Sequence, residues 1–156
     1  MEVAKIKVET WRDTYKQIVD DSYLRNMDYI KTADKWKKNF ENEKFIVAEK
    51  DKKIVGFCRY GNRIDELERF KEFDAEIYAI YIDREYQRLG IGKKLVDYAK
   101  KEMSCENKNK FLLWCLEKNE SSLRFYEKIG GTLLGKKQAK IGEKLYSEIA
   151  YGYEIK

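Results

Sequence analysis

The residues of this chain best suited to chemistry cluster between Asp74 and Met103, around Gln87-Arg88-Leu89-Gly90-Ile91-Gly92. Gly90 and Gly92 stand between an apolar run and an amphipathic one. Glycine has no Cβ and lets a ligand come close to the backbone. The first amides of a helix starting here lack intrahelical partners, so they suit a phosphate. Two known phosphate loops do not fit. A P-loop needs G-x-x-x-x-G-K-[ST], but Gln87 stands at its first Gly and Lys94 at its Ser/Thr. A dinucleotide fingerprint needs a third Gly where Leu95 lies. From spacing alone, the pair either receives an anion or simply makes a tight turn. Glu76 is a second candidate, a lone carboxylate in the apolar segment Ala75 to Ile82. Such a group is costly to bury unless paired or functional. The chain has no histidine. That removes Ser-His-Asp and Cys-His pairs and His-bound metals, leaving acid–base work to carboxylates, Tyr, Lys, Cys or water.

These groups need elements to hold them. Ala75 to Ile82, rich in Ile and Tyr, reads as a buried strand. Ile91, Leu95, Tyr98, Ala99 and Met103 fall roughly on one face of a following helix. Phe111 to Leu116 (FLLWCL) is short and continuously apolar, as in a strand covered on both faces. Asn119 can cap a helix through Ile129 that stops at Gly130-Gly131. Two more strands are expected at about Thr132 to Lys137 and Leu145 to Ile155. Upstream, residues 3 to 8 alternate as a strand would, while Ala4, Val8, Trp11 and Tyr15 recur at helical spacing out to Ile18. The longer, helical pattern is preferred. Asp21-Ser22 can cap a short helix through Met27, and Thr32 or Asp34 can start another to Phe40, with Trp36 and Phe40 on its buried face. Phe45 to Ala48 and Lys53 to Tyr60 read as a hairpin, and residues 61 to 73 as a connection. The expected fold is α/β, one domain over 1–156.

At 156 residues and 43% hydrophobic content the chain can bury a real core. Charges of both signs are interspersed, and the net +5 is spread over surface Lys pairs. No apolar run reaches the ~18 residues of a membrane span, and no secretory leader reads at the start, so a cytoplasmic location is expected. The three cysteines show no C-x-x-C spacing and read as reduced, with Cys58 and Cys115 in the core.

In this setting the chain resembles the GNAT superfamily of acetyl-CoA-dependent N-acetyltransferases. The signature [Q/R]-x-x-G-x-[G/A] after a strand is met by Gln87, Gly90 and Gly92. A second marker, N-x-x-[A/S]-x-x-x-Y-x-x-x-G, is met by Asn119, Ser122, Tyr126 and Gly130. The resemblance covers roughly residues 11 to 155. It implies a mixed, mostly antiparallel sheet splayed between the family's fourth and fifth strands, with about four helices. Two departures stand out. Members normally begin with a short strand, here either absent or formed by residues 3 to 8, and Gly131 is followed by Thr132 where many have an aromatic.

The resemblance assigns roles. Amides of Arg88, Leu89, Gly90, Ile91, Gly92 and Lys93 would cradle the CoA pyrophosphate, with Gln87 opening the loop. Backbone groups along Ile80, Tyr81 and Ile82 would pair with the pantetheine arm as an extra strand, an amide near Ile82 polarising the thioester carbonyl. Arg84, Arg88, Lys93 or Lys94 could meet outer phosphates. Tyr126 matches the family's general acid. Glu76, fourteen residues before Gly90, matches the place of a catalytic glutamate, as base through a water or as a binder of the ammonium. Asn119 would hydrogen-bond the pantetheine or order its loop, with Ser122 beside it. The acceptor implied is a primary amine on a small molecule or peptide, its pocket drawn from Tyr15, Tyr23, Tyr29, Trp36, Asp65, Glu66 and Glu68. No Cys lies in either motif, so direct transfer in a ternary complex is expected, without a metal, nucleic acid or membrane, by a monomer or homodimer. The alternatives are a silent acyl-CoA-binding domain and, less in keeping with the charge balance, a nucleic-acid binder.

Overall fold

The computed structural model describes residues 1–38, 43–64 and 67–155. The chain opens with helix α1 (Glu2–Thr14), so residues 3 to 8 are helical rather than a strand. Ala4, Ile6 and Val8 turn inward, and the helix stops before Ile18 because Tyr15 takes the C-cap, its N–H bonding Trp11 O. Helix α2 (Asp21–Asn26) is capped by Asp20, whose carboxylate accepts from Ser22 N at 2.9 Å. Helix α3 (Tyr29–Lys38) begins earlier than expected, because Asp28 accepts from Lys31 N at 2.8 Å. Phe40, expected at its end, lies outside the described residues, as do Asp65 and Glu66.

Strands β1 (Glu43–Lys50) and β2 (Lys53–Asn62) form the expected hairpin. Asp51 and Lys52 turn it with φ of 51° and 64°. After one 3-10 turn at Glu68–Phe70 come β3 (Ala75–Ile82), helix α4 (Ile91–Cys105), β4 (Lys110–Leu116) and helix α5 (Glu120–Lys128). Strands β5 (Thr132–Ile141) and β6 (Lys144–Glu154) close the described chain. The six strands run β1-β2-β3-β4-β6-β5, and every neighbouring pair is antiparallel except β3/β4. Among the described residues five α-helices flank them, where the resemblance implied about four.

One core fills the space between the sheet and α4. Leu95, Val96, Ala99 and Met103 pack on Ile77, Phe111, Leu113 and Tyr151. Tyr98, assigned to that face by spacing, is 60% exposed, and Val96 takes its place; the inward stripe follows positions 92, 95, 96, 99 and 103. On the opposite face α1 and α3 cover Phe57, whose ring lies 5.6 Å from those of Trp36 and Tyr81. Burying a side chain of this size contributes about 1.5–3 kcal/mol. Tyr15, Val19, Leu24 and Leu116 form a third cluster under α2.

Candidate active site

Two strands that begin paired and then part create the main cavity. Strands β3 and β4 pair only at Ala75/Phe111, Glu76/Leu112 and Ile77/Leu113. Beyond Ile77 they diverge, and a cleft of about 880 Å³ opens between Tyr78–Ile82 on one side and Leu113–Leu116 on the other. A volume of this order suits a small-molecule ligand.

The backbone of β3 reaches into this gap. Asp83 N donates to Val55 O at 2.9 Å. Alternation along the strand then aims Tyr81 at β2 as well and leaves the N–H groups of Ile80 and Ile82 directed into the gap. The Ile82 carbonyl also accepts from the Gln87 side chain at 3.0 Å, which ties the hinge to the strand.

At one mouth of the cleft lies the hinge itself. Gly90 is the N-cap of α4 with φ +78°, and no side chain caps the helix. The first intrahelical bond runs from Lys94 N to Gly90 O at 3.2 Å, so the amides of Ile91, Gly92 and Lys93 point outward without helical partners. A Cβ built on Gly90 would meet nothing within 4 Å, whereas one on Gly92 would come within 3.2 Å of both Phe125 and Ile82. Gly90 therefore leaves space for a ligand, and Gly92 lets α4 approach α5 and β3. Arg88, Lys93, Arg124 and Lys128 surround this mouth. Lys93 is paired with Asp97 at 2.6 Å and Arg124 with Glu120 at 3.7 Å. A cationic mouth beside outward amides suits a polyphosphate.

Helix α5 supplies one wall. Asn119 is buried and caps the helix by accepting from Ser122 N at 3.3 Å. Tyr126 lines the cleft with its ring 5.3 Å from Phe125 and 6.3 Å from Tyr151. Burial holds its hydroxyl well above the ordinary phenol range, reinforced by the neighbouring Cys115, Tyr15 and Tyr81. It keeps its proton at neutral pH.

The far side of the cleft is aromatic. Trp11, Tyr15, Tyr81 and Trp114 line it, and Trp11 Nε1 donates to the Tyr81 hydroxyl at 2.7 Å. Glu148 of β6 stands among them. Burial raises its carboxyl above the usual range, opposed by Lys137 4.0 Å away.

Most of the residues expected from the sequence therefore meet in one place. Ile80, Tyr81, Ile82, Gln87, Arg88, Gly90, Gly92, Lys93, Asn119, Ser122 and Tyr126 all line the cleft. The side chains of Leu89 and Ile91 do not; Leu89 is exposed and Ile91 packs on the core, so these two offer only backbone. Glu76 is not brought to the cleft. It sits where β3 and β4 are still hydrogen-bonded, and its carboxylate accepts from Ile64 N at 3.0 Å. Of the acceptor residues expected, Tyr15 lines the cleft, Trp36 is buried among Phe45 and Phe57, and exposed Glu68 pairs with Lys71. Sequence reading missed Arg124, Lys128 and Glu148. The first two are four apart on a capped helix. Glu148 carries the same signal as Glu76, a lone acid in an apolar strand.

Comparison with known proteins agrees with this geometry. The model of a family described as acetyltransferase (GNAT) matches residues 6–131. The uncharacterized N-acetyltransferase YuaI of Bacillus subtilis is 28% identical over 152 residues, spanning 97% of this chain and 86% of its own. Among solved structures, the PaiA N-acetyltransferase of Thermoplasma acidophilum, in complex with coenzyme A, superposes with a TM-score of 0.67 at 21% identity, covering 93% of this chain and 88% of its own. YncA of Salmonella typhimurium, with acetyl-CoA, gives a TM-score of 0.67 at 15% identity over 98% and 87%. At these identities the structures establish a common fold.

Proposed function

Because the chain belongs to the acetyltransferase (GNAT) family, we propose that it transfers the acetyl group of acetyl-CoA directly to a primary amine of a small molecule or peptide, as one domain over 1–156. The observation that carries this reading is the gap beyond Ile77/Leu113, with free β3 edges on one side, Tyr126 on the other and the outward amides of α4 at its mouth. In this reading the amides of Ile91, Gly92 and Lys93, with Arg88 and Arg124 near them, hold the pyrophosphate. The N–H groups of Ile80 and Ile82 hold the extended arm as a neighbouring strand. Two relatives of the same fold have CoA or acetyl-CoA bound, which supports the fit. Acetyl-CoA supplies the activated acyl carbon.

The chain's own residues then handle protons. An alkylamine with a pKa near that of lysine, about 10.4, is ammonium at neutral pH and must lose a proton before it attacks. Tyr126 gives its proton to the departing sulfur and takes the second proton of the nitrogen, so it returns to its starting state. A phenol this resistant to ionisation fits such a relay, since it never has to persist as phenolate. Asn119 fixes the start of α5 and thereby the place of Tyr126. Cys115 is no rival as an acetyl-accepting nucleophile, because burial pushes its thiol up to about 12.

The test is thiol release from acetyl-CoA in the presence of primary amines. Tyr126→Phe is expected to lower kcat by about 100-fold while the acetyl-CoA-induced rise in Tm is kept. Unchanged kcat in that variant would remove Tyr126 from the reaction; no release with any amine would remove the transferase reading.

A further inference from the structure

Strand β6 presents two faces with different neighbours. Ile149, Tyr151 and Tyr153 pack with Leu95, Val96, Ala99 and Met103 on the side of α4. Tyr146 and Ala150 turn the other way, towards the α1–α2 cluster and Phe70/Phe73 respectively. Glu148 lies between them in sequence, so alternation puts its carboxylate on the face opposite α4. The cofactor hinge belongs to α4. An acceptor that meets the acetyl group in the gap therefore has the α1–α2 face from which to enter, and Glu148 is the carboxylate waiting there in the cleft lining. Its surroundings suit an ammonium. Trp11, Tyr15, Tyr81 and Trp114 supply aromatic surfaces around a single acid, and a cation is held by both.

We propose that Glu148 receives the protonated acceptor amine, fixes it by a charge-assisted hydrogen bond and takes its first proton, so that the acceptor is a cationic primary amine whose carbon chain rests against the aromatic wall. The inference rests on the acetyltransferase reading of the cleft. One proton passes from the ammonium nitrogen to the Glu148 carboxylate, directly or through one water. The freed lone pair forms the C–N bond, the C–S bond breaks, Tyr126 protonates the sulfur and is refilled from the nitrogen, and Glu148 returns its proton to solvent. The products are an amide, CoA thiol and one proton.

The titratable and charged groups that act on Glu148 come from four elements. Lys137 of β5 stands 4.0 Å away and favours the charged carboxylate; its own Nζ lies 4.0 Å from the centre of the Trp114 ring. Tyr15 at the end of α1, Tyr81 on β3 and Cys115 on β4 each sense the charge of Glu148, and each is also an electrostatic neighbour of Tyr126. Burial raises the Glu148 carboxyl, which makes it a better base than an exposed carboxylate. Glu76 faces the same side of the sheet, but at the zipped end of β3/β4 with Ile64 N on its carboxylate.

The experiment compares wild type, Glu148→Gln and Glu76→Gln by thiol release across pH 4.5–9 with tyramine, spermidine and lysine amide at saturating acetyl-CoA. The amine with the fastest release serves as the probe, and the Tm shift with acetyl-CoA is read for each protein. Glu148→Gln is expected to keep the acetyl-CoA shift, lose about 100-fold in kcat/KM and lose the acidic limb of the wild-type pH profile. Lys137→Met should move that limb to higher pH, because it removes the charge that favours the carboxylate. A Glu148→Gln enzyme with wild-type kcat/KM and pH profile overturns the proposal and leaves the transferase reading standing. Loss of the limb in Glu76→Gln alone also overturns it. A wild-type protein that shifts with acetyl-CoA but acetylates none of the three amines overturns the cationic-amine inference, while the transferase reading falls only if no primary amine is acetylated.

Discussion

Gly90→Ala separates the two roles that a glycine can have at the hinge. Its φ of +78° is left-handed, and nothing stands within 4 Å of the added Cβ. The substitution therefore meets no protein atom and costs only backbone strain, about 1–2 kcal/mol. For a chain of this length that lowers Tm by roughly 2–8 °C, at about 2–4 °C per kcal/mol. Gly130→Ala is a matched control. Its φ is +96°, its Cβ also meets nothing within 4 Å, and it does not line the cleft. Acetyl-CoA at about a hundred times its Kd adds about 2.7 kcal/mol, a rise of roughly 5–11 °C. If phosphate oxygens sit on the amides beside Gly90, a methyl there, or a backbone relaxed to negative φ, weakens binding at least about tenfold, or 1.4 kcal/mol. The acetyl-CoA shift of Gly90→Ala should then fall to about half that of wild type or less at the same ligand concentration. Gly130→Ala should show the same loss of basal Tm and the full shift. Differential scanning fluorimetry with and without acetyl-CoA reads both quantities. Equal shifts in the two variants would refute the placement of the pyrophosphate at the hinge, whatever the basal Tm values are.

Thiol reactivity should follow burial. Cys105 is exposed, whereas Cys58 and Cys115 are buried and pushed up to about 12 by desolvation. Iodoacetamide at pH 8 is expected to label Cys105 alone in the native protein and all three after unfolding, read by mass spectrometry; rapid native labelling of Cys115 would contradict its burial and raised thiol pKa. Lys7 offers a pH test. Burial, then the charges of Arg59 and Lys35, push its ammonium down to about 8 from 10.5. Between those values the unfolded chain binds the extra proton, so the contribution of Lys7 to stability improves as pH rises through that window. Lys7→Met, which keeps a chain over the Trp11 and Trp36 rings that Lys7 now covers, should therefore raise Tm at pH 7 and lose that advantage by about pH 10.5. A Tm difference that does not change with pH would refute the assignment.

Local patterns made much of this legible in advance. The strand Ala75–Ile82 and the start of α4 at Ile91 were readable because an apolar run, a glycine turn and an amphipathic stretch leave few alternatives. Asn119 followed by helical spacing to Tyr126 placed a cap and a cleft wall together. The misses share a physical cause: they depend on what a residue faces across the fold. Tyr98 fits the helical stripe but meets solvent, because α4 presents a face rotated towards Val96. Trp36 and Tyr15 looked alike as aromatics on upstream helices. The sheet turned one into a core under α3 and the other into the cleft. No local rule distinguishes them, since the partners that decide are far away in sequence.

One inserted residue marks the boundary between Glu76 and the cleft. Arg59 pairs with Ala79 and Tyr60 with Ile77, so Tyr78 is an extra residue in β3, a bulge. Before it, Ala75 and Ile77 face α4; after it, Ala79 and Tyr81 face α1 and α3, while Ile80 and Ile82 turn to α4. An uninterrupted strand would keep Ile77 and Tyr81 on the same side. Tyr81 would then lie beneath α4 instead of accepting from Trp11 in the aromatic wall. The bulge comes directly after the last β3/β4 pair, Ile77/Leu113, so the place where alternation reverses is also the place where the gap opens. Spacing counted back from Gly90 crosses that slip and arrives at Glu76, on the zipped side. The gap is lined instead by a carboxylate from β6, whose pairing opposite β4 is unbroken from Glu148 to Glu154. The slip at Tyr78 thus coincides with the opening of the cleft: Glu76 lies before it, on the paired stretch, and Glu148, on the strand beyond β4, is the carboxylate in the cleft lining.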